Sequence, residues 1–125
     1  LMSLAEDELK KALIVFNYAE RLKAGLIIAW SLLGVLSETK EGAELAGAEK
    51  VIVAYFNALI SEVNIAANAS KVEGFRGIAA SLKEVINCVR RRDPDAAQRL
   101  IAEAISMATT QGDWAAHKLA ERDLI

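Results

Sequence analysis

Pro94 is the only proline in this chain of 125 residues, and an aspartate precedes it. Proline fixes its own backbone and pushes the residue before it out of helical geometry. Asp at the N-cap followed by Pro in the first turn is a favoured helix start. Asp93-Pro94 is therefore the strongest boundary signal in the chain. Elsewhere nothing as strong interrupts a helix, and helix-favouring alanine, leucine, lysine and glutamate recur throughout. No strand run bounded by turn signals is visible, as an all-β chain would require.

Four helical segments follow from the spacing of apolar residues. The first opens on Ser3-Leu4-Ala5-Glu6, a capping-box pattern. Leu9, Leu13, Phe16, Ala19, Leu26, Trp30 and Leu33 continue it at helical spacing. Ser37 to Gly42 reads as a turn. The second segment ends near Asn68 and Ser70. The third has the clearest seam, Phe75, Ile78, Leu82, Val85 and Val89, with Arg90, Arg91 and Arg92 completing the helix where positive charge suits the dipole. The fourth starts at Pro94, and Thr109 to Asp113 is a place where it kinks or breaks. The expected boundaries are about 4–37, 42–69, 71–92 and 94–124. Such short connections force neighbouring helices to be antiparallel. The fold class is thus all-α, an up-down-up-down four-helix bundle forming a single domain over residues 1–125.

Composition matters here because the chain is 54% hydrophobic, above the usual apolar share even with glycine counted. That excludes disorder and leaves apolar surface to be placed. Two stretches hold it. Ala24 to Leu36 is apolar around nearly its whole circumference. It is too short to span a bilayer, which needs about 20 residues, so no membrane partner is expected. Val51 to Ser70 carries one charge, Glu62, and its polar residues Asn57, Ser61, Asn64 and Asn68 recur at helical spacing on one stripe. A neutral stripe flanked by Val53, Ile60 and Ala67 on one side and Ile65 on the other offers hydrogen bonds without the desolvation cost of charge. On the first helix, Ile28, Trp30 and Val35 are candidates to face something other than the core.

Chemistry is thin by comparison. His117 is the only histidine and Cys88 the only cysteine, so zinc sites and the di-iron bundle signature are not supported. Cys88 lies near the seam of the third helix and reads as a packed core residue. His117 has Asp113 and Glu121 one turn away on either side. Glu38, Glu41, Glu44 and Glu49 cluster near a helix start, but no matching carboxylates stand on another helix. No catalytic residue, metal or cofactor is assigned. The formal charge of −2 lacks the basic footprint of a nucleic-acid binder. Arg90, Arg91 and Arg92 form the one basic patch.

The sequence reading is a non-enzymatic, cytoplasmic protein that self-associates, as a dimer, or binds a protein partner through the uncharged parts of its first two helices. One lone cysteine and no recognisable signal segment carry the compartment. Leu1 ahead of Met2 suggests that Met2 is the natural start. The alternatives are a small-ligand or nucleotide site built on Asn17, Asn57, Asn64 and Asn68, and an accessory subunit of a nucleoprotein complex contacting phosphates through Arg90 to Arg92.

Overall fold

The computed structural model describes residues 4–123 and residue 125. Four helices account for nearly all of it: α1 (Leu4–Glu38), α2 (Ala43–Ser70), α3 (Glu73–Arg90) and α4 (Pro94–Ala120). They pack as a ring. α1 meets α2 and α4, α3 meets α2 and α4, and the backbones of the diagonal pairs do not approach closely among the described residues. Contacts run in opposite senses along each pair. On α1 and α4, Lys118 meets Glu8 and Gln98 meets Trp30. On α1 and α2, Glu62 meets Arg21 and Tyr55 meets Gly25. On α3 and α4, Gly74 lies against Gln111 and Gly77 against Met107. Neighbouring helices are therefore antiparallel, the expected bundle.

The core of α1 is one seam: Ala12, Val15, Ala19, Leu22, Leu26, Ala29, Leu33 and Leu36, all buried, at alternating steps of three and four. That is the spacing of a helix lying along its neighbours. Two residues read from sequence as part of this row, Leu13 and Trp30, are about half exposed. Each sits one position beyond a true seam residue, Ala12 or Ala29. The mostly apolar helix gives no polar face against which to fix the phase.

The turns differ from expectation by a few residues, for physical reasons. α3 spans 73–90 rather than 71–92 because Lys71 takes a left-handed backbone (φ 60°) that closes α2, while Arg92 is left-handed at the other end (φ 59°). Arg92 N–H donates to Val89 O and Asp93 N–H to Cys88 O, the paired bonds of a Schellman cap. Arg90 alone of the three arginines remains inside the helix. Asp93 then caps α4 by accepting from Ala96 N–H at 3.1 Å, with Pro94 next. Ser70 is buried at the α2–α3 turn; its hydroxyl donates to Ala66 O and accepts from Val72 N–H. α4 ends at Ala120, short of the expected 124, in a turn over 121–123. The box expected at Ser3 lies outside the described residues.

α4 runs unbroken through Thr109 to Asp113. Gly112 is buried, and a Cβ there would rest 3.4 Å from the Ala19 side chain. The buried row of α4 is Ala97, Ile101, Ala104, Ala108, Gly112, Ala115 and Leu119. These small residues let α1 and α4 approach closely, and this interface is the most extensive in the bundle. α1 meets α2 least. The groove between these two helices runs along one face of the molecule.

Candidate functional site

The apolar surplus is most visible on this groove. α1 has a second row opposite its core: Ala24, Ile28, Ser31 and Val35, again stepping by four, three and four. Ile28 is 53% exposed and Val35 63%. The matching outer row of α2 contains Val51, Ala58 and Ile65, seven residues apart; Val51 is 69% exposed and Ile65 54%. No charge interrupts α1 from Ala24 to Ser37. On the outer surface of α2 from Val51 to Ala69 the only charge nearby is Glu62, which Arg21 neutralises at 3.1 Å. The outer faces of α3 and α4, by contrast, carry exposed Arg76, Lys83, Glu84, Arg99, Glu103 and Asp113.

Two further contacts fix the register of the groove. The Tyr55 hydroxyl donates to Gly25 O at 2.6 Å. A Cβ on Gly25 would stand 3.0 Å from Leu59 Cδ1, so glycine is what lets Tyr55 and Leu59 close over α1. Burial pushes the Tyr55 phenol above its usual range. Arg21 also covers the Tyr18 ring, 5.7 Å from its centroid. The floor of the groove is therefore locked, while its rims, Ile28 and Val35 on one side and Val51 and Ile65 on the other, are each more than half exposed.

The sequence candidates sort accordingly. Ile28 and Val35 lie on the groove. Trp30 is exposed, but on the α4 side of α1, where Gln98 donates to its carbonyl at 3.2 Å; it does not share the surface. Ile60 is buried in the core and Val53 is half-buried against it. Both follow from the α2–α3 packing, which covers the side of α2 one position beyond its core row. Asn57, Asn64 and Asn68 are exposed, as is Ser61, whose hydroxyl donates back to Asn57 O. Val51 and Ile65 were not among the candidates, although their fourteen-residue spacing, with Ala58 midway, places them on one side of a helix.

The remaining groups are dispersed. Arg91 pairs with Glu84 at 3.2 Å and Arg92 with half-buried Glu49 at 3.1 Å, the latter without hydrogen-bond alignment. Asn87 and Arg91 together hold the Glu84 carboxyl below its usual range. Cys88 is buried with its sulfur 3.3 Å from Arg91 Nη2. It lies at the opposite end of the bundle from His117, which pairs with Glu121 at 3.2 Å. About 20 residues of helix, roughly 30 Å, separate the two. Among the described residues no three His, Cys, Asp or Glu side chains converge to hold a metal.

Several open hollows mark the described surface, among them one at each end of the bundle. One, about 480 Å³, lies where the α2–α3 turn meets α4 and includes Lys71, Gln111 and Trp114. The other, about 220 Å³, lies at the far end between Leu36, Leu45 and Arg92. Asn17 and the asparagines of α2 line neither. α2 is long and apolar enough to cross a membrane by length and composition, a property the sequence reading did not weigh; a third of its most apolar window is buried in the bundle. No protein-family model matches the chain, and no curated protein and no solved structure matches it either.

Proposed function

We propose that this protein is a non-enzymatic helical bundle that acts by self-association and protein–protein contact through the outer α1–α2 surface. The observation that carries this is the contrast between faces. α3 and α4 present ordinary charged surfaces, whereas α1 and α2 present Ile28, Val35, Val51 and Ile65 around a groove in which Glu62 is neutralised by Arg21. Single exposed apolar side chains are common and need no explanation, but a contiguous patch marks an interaction site. The ion pairs at Arg91 and Arg92 leave little free charge for the nucleoprotein alternative. The asparagines lie on open surface, which gives the small-ligand alternative no enclosed site.

Sedimentation velocity over a micromolar concentration series tests the proposal. Reversible dimer formation is expected, abolished by Val35→Glu with the helical content unchanged. A monomer at every concentration would overturn self-association. A monomer that instead floats with lipid vesicles would assign the same surface to a membrane.

A further inference from the structure

Resting on the self-association reading, we infer that the partner is a second copy of this chain, docked with α1 antiparallel to α1 of the other copy. The two-fold axis crosses α1 between Ala29 and Trp30. The argument is one of register. The outer row of α1, extended by one step at each end, reads Arg21, Ala24, Ile28, Ser31, Val35 and Glu38. Its steps of three, four, three, four and three are the same in either direction, as antiparallel self-pairing requires. About that axis Arg21 faces Glu38, Ala24 faces Val35, and Ile28 faces Ser31. Each pair is complementary, opposite in charge at the ends and small against large between them. Sliding by seven residues sets Glu38 against Ile28 one way and against Ile14 the other, desolvating a carboxylate on apolar surface. Only one heptad register avoids this.

The same axis carries over to α2. The contacts of Gly25 with Tyr55 and of Arg21 with Glu62 place the level of Ala29–Trp30 beside Ile52–Val53. A two-fold there brings Val51 against Ala54 of the second copy and Gly47 against Ala58. All four are exposed and uncharged, and nothing lies within 4 Å of where a Gly47 Cβ would be. The face so covered is two helices wide and about 27 Å long. That is of the order of the roughly 800 Å² per partner buried in a standard specific interface.

The test is a set of intermolecular distances between spin labels. Leu13, Glu20 and Ile27 lie on one strip of α1, and each is replaced by cysteine in a Cys88→Ala background. Axial separations of about 50, 29 and 8 Å are expected, growing by twice the helical rise for each residue from the axis. Glu38→Lys is expected to weaken the dimer about tenfold by opposing Arg21 at both symmetric contacts, while Glu103→Lys on α4 leaves it unchanged. A dimer whose three separations are alike would overturn this geometry and leave self-association standing. A monomer in the unlabelled parent chain would overturn both.

Discussion

Single residues at the turns set where each helix stops. Gly42 precedes α2 with φ 105° and ψ −153°, a conformation that only glycine adopts without strain. Gly42→Ala is expected to destabilise the fold by about 1–3 kcal/mol, read from urea denaturation. Lys71 has the reverse problem, a side chain on a left-handed cap at φ 60°. Lys71→Gly is expected to stabilise by about 1 kcal/mol in the same assay. Tyr55 carries a pH dependence. Its phenol is raised by burial, so above the ordinary value of about 10 the unfolded chain releases a proton that the folded chain still holds. Stability is therefore unaffected below that value and falls as pH rises through it. Tyr55→Phe removes this alkaline loss and, with the bond to Gly25, about 1 kcal/mol of stability at neutral pH. Asp93-Pro94 was legible because its signal is local chemistry. Lys71 and Arg92 were not, because neither type favours a left-handed backbone; the turn between packed helices imposes it.

Among the elements, legibility followed amphipathicity. α3 has charged and apolar residues segregated, so its row from Phe75 to Val89 could be read directly and is buried throughout. α1 between Ala24 and Leu36 has no polar face, so its apolar content was legible but not its phase, and Trp30 fitted both the buried row and the outer surface. α4 presents the third case. Gly112 resembles a break locally, but close packing on Ala19 keeps the helix continuous. Gly112→Leu is expected to force α1 and α4 apart and destabilise by about 1–3 kcal/mol, whereas Gly112→Ala is tolerated; thermal denaturation separates the two. The same helix pair is clasped about two turns further along by Lys118 and Glu8, 2.8 Å apart. That hydrogen bond and its charge lower the Glu8 carboxyl and raise the Lys118 ammonium. Glu8's contribution is present above the ordinary carboxylate value and lost as pH falls through its depressed one. Lys118's is present below the ordinary lysine value and lost as pH rises through its elevated one. Amide protection at the α4 C-terminus, taken relative to intrinsic exchange at each pH, should be greatest between these limits, and Glu8→Gln should lower it at neutral pH.

For the whole molecule, the uncharged groove gives association a thermodynamic signature that a solvated monomer lacks. Binding that favours the native state over the unfolded one raises apparent stability with concentration. If two chains unfold from one dimer, each tenfold increase in protein adds about 0.7 kcal/mol per protomer, or a rise in Tm of roughly 2–4 °C. The parent chain is expected to show this rise. Ile28→Glu places a charge on the outer row without touching the core, since Ile28 is more than half exposed. Its Tm is expected to be independent of concentration and equal to that of the parent at high dilution. The comparison at high dilution matters, because a variant that damaged the bundle itself would melt lower even where both chains are monomeric. A parent Tm that does not move with concentration would show that the apolar groove is simply solvated, and the surplus that first distinguished this sequence would then have no partner to explain it.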